Sequence, residues 1–522
     1  MTFTVFPEDR GLIMEGAPTG TLPLLTGAFD LQPGILGMPH TLDNAIRLTS
    51  LGYTCPAPIA YYYDFPREVS MVPQPFKHQI ETAAHLTLHP RDYCLNDIGT
   101  GKTLSALWAA DYLMSIGVIR RCLIVSPLST LERVWADAIF FHLRHRSAIV
   151  LHGAAARRRK LLADPRDFYI INHDGIGVLN NELRERDDID LVIIDELATY
   201  RNRQTTKWKD IDRVLHPDKG RAKTWVWGLT GTPIPNEPTD AYGQCRLVTT
   251  SSVPRYYTHF RNMVMEQQSM YVWTPRKEAL DIVYKAMRPA IRFSRDECLD
   301  LPPCIYQTRE VVLSAEQGKH YKAIMKELYT EVQGGKITAV NEGVKRSKLL
   351  QVACGVVYDT NGVPHEIDAG TRVNVLMELI EQINEKVIVF VPFTAVTAML
   401  HRELRKHWNF EVVTGSTPVK QRNEIFARFQ QKDSDLDLIA HPECMSHGLT
   451  LTEASTIIWY APIDSNEIYE QANGRITRAG QKHTANIIHL AGSTIEHRMY
   501  KRLEQRQSTQ GLLLDMVARG EE

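Results

Sequence analysis

The sequence has no apolar run approaching the length of a membrane span, so no transmembrane helix is expected. It has no C-x-x-C pair either. Its eight cysteines stand apart, at 55, 94, 122, 245, 298, 304, 354 and 444. That scatter argues against a structural zinc site or a disulfide framework and suits a reducing cytoplasm. No basic segment precedes an apolar one near the N-terminus, so no signal peptide is expected. Charge of one sign is also missing, with 60 Lys and Arg against 61 Asp and Glu. Bulk charge therefore signals no polyanion partner, and any nucleic-acid contact must come from a local patch. What is present is ordinary globular material: 43% hydrophobic and 23% charged residues over 522 positions, enough for about three domains.

One stretch organises the rest. Leu95-Asn96-Asp97-Ile98-Gly99-Thr100-Gly101-Lys102-Thr103 follows the apolar Tyr93-Cys94 and precedes a helical run, Leu104 to Leu113. Strand, glycine loop and helix in that order place backbone N–H groups around phosphate oxygens at a helix N-terminus. Lys102 would set a point charge on the β- and γ-phosphates, and the Thr103 hydroxyl would ligate Mg²⁺. The first glycine of the usual pattern is absent, and Asn96 takes its place.

Around this loop the chain alternates. Residues 1 to about 70 are rich in Pro, Gly and Thr and read as a small accessory domain of short strands and turns. The cluster Tyr61-Tyr62-Tyr63-Asp64-Phe65 reads as an aromatic strand packed on its neighbour more readily than as a platform for bases. From Phe76-Lys77-His78-Gln79 a helix runs toward Leu88. Apolar strands then alternate with helices: Cys122–Val125, Ile149–Leu151, Phe168–Ile171, Leu191–Ile194 and Trp225–Leu229. This pattern predicts an α/β fold with a parallel sheet covered on both faces and ligands at the strands' carboxyl ends. Residues 251 to about 375 break the rhythm, mostly helical and charged. Alternation returns with Val387–Phe390, Val412-Val413, Leu436–Ile439, Ile457–Trp459 and Ile487-Ile488. The expected organisation is an accessory domain over 1–70, a first α/β domain over 71–250, an insert over 251–375, a second α/β domain over 376–505 and a peripheral tail over 506–522.

Asp195-Glu196 ends the run from Leu191. An acidic pair at a strand end downstream of a phosphate loop suits metal-assisted hydrolysis: Asp195 would hold Mg²⁺ through water, and Glu196 would orient and deprotonate the attacking water. Leu229-Thr230-Gly231-Thr232-Pro233 closes another strand, with hydroxyls able to bond the acidic pair. In Gln471-Ala472-Asn473-Gly474-Arg475-Ile476-Thr477-Arg478 the two arginines are three apart and would share a helix face. Permanent charge and forked donors suit both to a γ-phosphate held by the other half. The basic run Arg157-Arg158-Arg159-Lys160 reads as solvated surface more readily than as a phosphate contact. His142 and His145 read as surface or core residues, not metal ligands.

Taken in order, these motifs resemble superfamily 2 helicase-type ATPases, and among them Snf2-like DNA-dependent ATPases of the compact bacteriophage type. The resemblance covers about 76 to 505. Gln79 falls where the family reads adenine. Asp97, Ile98, Gly99, Thr100, Gly101, Lys102 and Thr103 are similar to motif I, which in this family lacks the first glycine. Val125 to Ser129 with Trp135, then Asp195-Glu196, then Leu229 to Asn236 resemble motifs Ia, II and III. Arg288-Pro289, Leu301 to Pro303, Leu313-Ser314 and Tyr321 resemble a stretch typical of Snf2 proteins. Val389-Phe390 and Gly415 to Thr417 with Arg422 resemble motifs IV and IVa. Gly448-Leu449-Thr450-Leu451-Thr452 looks like motif V, and Gln471, Arg475, Arg478, Gly480 and Gln481 fit motif VI. The sequence departs at Ala198, where a DEAH box has histidine, and at Ser446-His447, where motif V has a glycine pair. The resemblance implies two RecA-like parallel-sheet domains in tandem, with a helical insert and a small N-terminal accessory domain. It also implies ATP with Mg²⁺ as the bound nucleotide, the cytoplasm of a bacterial or phage-infected cell, and duplex or branched DNA held mainly by its backbone. A protein partner would dock through residues 1–70. The expected activity is ATP-driven translocation on double-stranded DNA. The rivals are a strand-separating DNA or RNA helicase and an ATP-gated clamp.

Overall fold

The Ile- and Val-rich runs form parallel sheet because both faces of each strand are covered. Along one strand, Leu191 and Ile193 enter a core with Cys122, Ile124, Phe168, Ile170 and Trp227. The alternate residues Val192 and Ile194 enter a second core with Leu123, Val125, Tyr169 and Ile171. Period-two burial into two separate cores is what a sheet layered between helices requires. The structure is a computed structural model. It describes every residue except 19, 69–73, 217–223, 271, 299–301, 334, 340, 446–450, 479 and 520–522, and the side chains of 335 and 342.

The chain divides into two compact units, Met1–Cys298 with Gln510–Glu522, and Leu299–Thr509. Each is built on one all-parallel sheet, so the fold is α/β with two RecA-like sheets in tandem. The first sheet has seven strands, in the order Ala290–Ile291, Arg91–Cys94, Trp225–Leu229, Ile189–Asp195, Arg121–Ser126, Phe168–Asn172, Ala148–Val150. The second has six, in the order Cys304–Glu310, Ala485–Ala491, Ala454–Trp459, Lys386–Phe390, Asp437–Ala440, Phe410–Val413. Alternation repeats there: Ile388, Phe390, Ile457 and Trp459 face one core, and Val387, Val389 and Ile458 the other. The second unit is keyed by the fully buried Arg372, which bonds Glu496 at 2.5 Å and lies 4.9 Å over the Tyr460 ring. Desolvation offsets much of the attraction in a buried pair of this kind, while removing either partner alone would leave an uncompensated charge.

The fold differs from the sequence reading at the aromatic cluster, in the stretch 251–375 and at the tail. The aromatic cluster is not a strand: Ile59–Tyr62 is a short helix. Tyr63 then donates to the Asp111 carboxylate at 2.5 Å, and Phe65 meets Trp108 edge to face at 5.4 Å. These residues are anchors on the helix Lys102–Ser115, separate from the core that the strands Gly11–Glu15 and Ile35–Pro39 make with the helix Leu42–Ser50. Next, the stretch 251–375 carries three antiparallel hairpins beside its helices. It also gives each main sheet an edge strand, Ala290–Ile291 and Cys304–Glu310. One is only two residues long and the other is largely exposed, so neither shows an apolar run. Last, the tail is not peripheral. It ends the long helix Thr494–Arg519, and Leu513, Leu514 and Val517 are buried in a core of the first unit. Among the described residues no helix is long and apolar enough to cross a membrane.

Leu513 is fully buried, so Leu513→Ala should cost about 2–5 kcal/mol by lost transfer energy and a cavity. Denaturant unfolding of the full chain reads this, with hydrogen exchange quickening in the helices around it. An effect under about 0.5 kcal/mol would show that the tail is not part of that core.

Candidate functional site

The phosphate-loop candidate bridges the strand Arg91–Cys94 and the helix Lys102–Ser115. Its turn depends on Gly99 and Gly101, at φ of 90° and 83°, where a side chain is strained. A Cβ on Gly101 would lie 2.0 Å from Gln79 Nε2. Gln79 is therefore packed against the loop, while its Oε1 accepts from the Phe76 N–H at 3.2 Å and caps the helix Lys77–Leu88. His78 Nε2 donates to the Thr100 carbonyl at 2.9 Å. Lys102 Nζ donates to the carbonyls of Asn96 and Asp97 at 2.8 and 3.0 Å, which centres its charge inside the turn. Thr103 is the next helical residue and is half-buried. Ile98 lies against Gly231 of the neighbouring strand's loop, 3.5 Å from where a Cβ would be.

Asn96 has a structural task that a glycine could not perform. Its Nδ2 donates to Thr82 Oγ1 at 2.8 Å and its Oδ1 accepts from the Phe293 N–H at 2.9 Å, tying the loop to a helix on one side and the edge strand's extension on the other. Asp97 continues the tie, with Arg292 Nη1 at 2.8 Å and the Arg295 N–H at 2.9 Å on its carboxylate. Burial pushes the Asp97 carboxyl up, but the Arg292 guanidinium, the Arg295 N–H and Lys102 outweigh it and hold the group below its usual value. No local pattern points to Arg292, almost two hundred residues from Asp97. Only the two-residue strand Ala290–Ile291 brings it there.

Asp195 is the last residue of its strand. Its Oδ2 accepts from Trp135 Nε1 at 3.0 Å and its Oδ1 from the Glu196 N–H at 3.1 Å. Burial raises its pKa, opposed by the Trp135 bond and by the nearby charge of Lys102. Strain is stored next to it, because Glu196 has φ of 51°, a left-handed conformation that non-glycine residues hold at a cost of about 1–3 kcal/mol. The Thr230 and Thr232 hydroxyls do not bond the acidic pair. Thr230 Oγ1 accepts from the Thr232 N–H at 3.1 Å, and Thr232 Oγ1 is buried with no partner among the described residues, as is Ser126 Oγ.

In the second unit, the helix expected to carry both arginines stops early, at Asn473. Arg475 and Arg478 lie in the turns that follow, so they do not share a helix face. Arg478 Nε donates back to the Gly474 carbonyl at 2.8 Å, and the Arg475 carbonyl accepts from the Leu451 N–H at 3.0 Å. Arg475 is buried, Arg478 half-buried, and Gln471 buried on the helix itself. Gly448 lies outside the described residues. Gln481 braces the turn, its Nε2 bonding the Ala454 carbonyl at 2.8 Å and the Ile476 carbonyl at 3.0 Å. Of the basic run, Arg158 Nη1 bonds Asn172 Oδ1 at 3.0 Å and Arg159 pairs with Glu182, which spends both on the first unit's own surface. His142 accepts from the Glu68 N–H at 3.0 Å and His145 pairs with Asp111 at 2.9 Å.

The chain matches the SNF2-related domain over residues 94–356, just over half its length, and the helicase conserved C-terminal domain over 371–480. The chain belongs to the SNF2-related family. As a member it is a helicase-type, DNA-dependent ATPase. Among its relatives is protein p41 of Acyrthosiphon pisum secondary endosymbiont phage 1, 26% identical over 86% of this chain and 99% of that protein. Another is the SWI/SNF-related matrix-associated actin-dependent regulator of chromatin subfamily A-like protein 1 of Xenopus tropicalis, 23% identical over 76% of this chain. A third is the uncharacterized ATP-dependent helicase MG018 of Mycoplasma genitalium, 23% identical over 79%. The chain spans nearly all of the phage protein but only about two fifths of the other two, 40% and 39%. A solved structure, the Sulfolobus solfataricus SWI2/SNF2 ATPase core in complex with dsDNA, is similar at 20% identity and a TM-score of 0.40, covering 86% of this chain and 93% of that one.

The contact between Gly101 and Gln79 yields a direct expectation for this SNF2-related loop. Gly101→Ala forces a side chain into a left-handed turn, costing roughly 1–2 kcal/mol, and pushes Gln79 away. ATP affinity by calorimetry should fall at least about tenfold, with the far-UV dichroism spectrum retained. Unaltered affinity would show that the turn is not used for nucleotide.

Proposed function

We propose that this SNF2-related ATPase is a translocase on double-stranded DNA that uses ATP hydrolysis to remodel branched or protein-bound DNA. The observation that supports it best is the junction in the first sheet, where Lys102 inside the loop and the half-buried, Trp135-bonded Asp195 lie close enough for their charges to interact. The donor set fits a magnesium nucleotide: a left-handed turn at Gly99 and Gly101, a hydroxyl at Thr103 and a half-buried carboxylate at Asp195. Thr103 and Asp195 would hold Mg²⁺, which when bound supplies neutralisation of phosphate charge.

The chain's own residues account for the remaining roles. Lys102 stabilises negative charge on the β- and γ-phosphates. Glu196 orients a water and accepts its proton while the water oxygen bonds the γ-phosphorus and the bond to the bridging oxygen of ADP breaks. Trp135 holds the Asp195 carboxylate in place and favours its ionised form. Gln79 is the adenine contact, and Asp97 to Thr103 line the phosphates. In the second unit, turnover requires Arg475 and Arg478, with Gln471 and Gly448 as further nucleotide contacts. DNA is held through its backbone, which positions the protein without reading sequence.

Glu196→Gln or Arg475→Ala should lower ATP turnover at least about a hundredfold, with duplex binding by fluorescence anisotropy within twofold of wild type, about 0.4 kcal/mol. Turnover near the wild-type rate in either would overturn the assignment. Duplex should stimulate turnover more than single-stranded DNA or RNA, and ATP should drive displacement of a third strand from a triplex. A preference for single strands favours a strand-separating helicase, and DNA binding without displacement favours a clamp. Trp135→Phe removes a donor to the Asp195 carboxylate, so its proton affinity rises and the acid limb of the ATPase profile should move to higher pH. A profile shifted to lower pH, or unmoved, would contradict the role given to Trp135.

A further inference from the structure

A second cluster lies at the opposite end of the strand that feeds the loop. His85 is in the last turn of the helix Lys77–Leu88, His89 caps that helix, and Asp92 is the second residue of the strand Arg91–Cys94. One atom from each of the three side chains lies within 4.8 Å of the others. His85 Nε2 is 3.1 Å and His89 Nδ1 3.7 Å from Asp92 Oδ2. Asp92 is wholly buried; its Oδ1 takes the Tyr93 N–H at 2.7 Å and lies 3.3 Å from His85 Nε2, while Oδ2, which faces both imidazoles, makes no well-formed hydrogen bond among the described residues. A buried carboxylate oxygen that faces two imidazoles without a well-formed hydrogen bond is costly unless something else uses it. A tetrahedral cation with ligand bonds near 2.0 Å sets its ligand atoms roughly 3.3 Å apart, and the two imidazole nitrogens stand 3.1 and 3.7 Å from Asp92 Oδ2.

We propose that His85, His89 and Asp92 form a binding site for a borderline divalent transition cation, with Zn²⁺ the best fit. Two imidazoles and one carboxylate leave a fourth position for water. The histidines are four apart along the chain, so both fall on one face at the helix end. His89 Nδ1 donates to the His85 carbonyl at 2.8 Å, so ligation through this nitrogen would release its proton and exchange that hydrogen bond for a metal bond. The cysteine spacing that argued against structural zinc does not bear on this site, which contains no sulfur.

The cation would act as a staple. The same helix carries His78 and Gln79 against the loop at its other end, and Asp92 lies about 13 Å along the chain before Asn96. Pinning the helix's last turn to the strand holds the frame on which the loop is built. It is distinct from the magnesium position, which lies past the strand's carboxyl end.

The test is titration of the full-length, EDTA-treated protein with Zn²⁺ by calorimetry, with Co²⁺ absorption as a second readout. The wild type should bind with a stoichiometry that falls by one in both His85→Ala and His89→Ala, and Co²⁺ should give ligand-field bands of four-coordinate intensity that both variants lose. Zn²⁺ should raise the melting temperature of the wild type and not of the variants, since a ligand that binds the folded state stabilises it. Equal melting temperatures in EDTA would confirm that the variants are folded. His142→Ala, outside the cluster, should leave the stoichiometry unchanged. Unchanged stoichiometry and Co²⁺ bands in the folded cluster variants, or no binding by the wild type, would overturn the proposal and leave the three side chains as an ordinary buried ion pair.

Discussion

The first unit depends on a tie between two stretches almost two hundred residues apart. Arg292 meets the Asp97 carboxylate at 2.8 Å and also donates to the Leu95 carbonyl at 2.9 Å, while Asn96 accepts from the Phe293 N–H. A phosphate loop must present N–H groups inward, which leaves carbonyls and side chains outward with few partners. Here those outward groups are met by residues that the edge strand Ala290–Ile291 delivers. The loop is preorganised by protein bonds, so binding need not supply the ordering free energy. It also explains the missing glycine: once the backbone is held from outside, that position can carry an amide that bonds in two directions.

The same logic extends to the acidic pair. Asp195 is half-buried, and a carboxylate withdrawn from water is costly unless hydrogen-bonded. Trp135 meets that need from a helix that the sheet places beside the strand end. Glu196 then turns into a left-handed conformation at the point where its side chain has to leave the sheet. Strain concentrated on a residue of this chemistry, beside a preorganised loop, is the pattern expected where geometry is selected for reaction and not for stability.

Much of this was legible in the sequence because strands covered on both faces read as continuous apolar runs, and Lys102, Asp195 and Glu196 sit where such runs end. What was not legible was carried by geometry without a local signature. Ala290–Ile291 is too short to show periodicity, and Cys304–Glu310 is an edge strand with mostly exposed side chains. Arg475 and Arg478 have helical spacing, but the chain turns at Gly474, which tertiary bonds from Gln481 and Leu451 reinforce. Tyr63 and Phe65 look like strand residues because aromatic clusters favour strands, yet Asp111 and Trp108 on a neighbouring helix decide their conformation. Leu513 and Val517 lie beyond the last motif, so only the fold shows that they are core.

If the loop is shaped from outside, a residue beyond the motif should control nucleotide binding. The most direct measurement is the calorimetric affinity for ATP of Arg292→Ala. An affinity reduced at least about tenfold, 1.4 kcal/mol, in a protein that melts cooperatively, is the result expected of a loop held by the Asp97 tie. Wild-type affinity in that variant would contradict the account, because the loop would then hold its shape without the one long-range charge pair assigned to it.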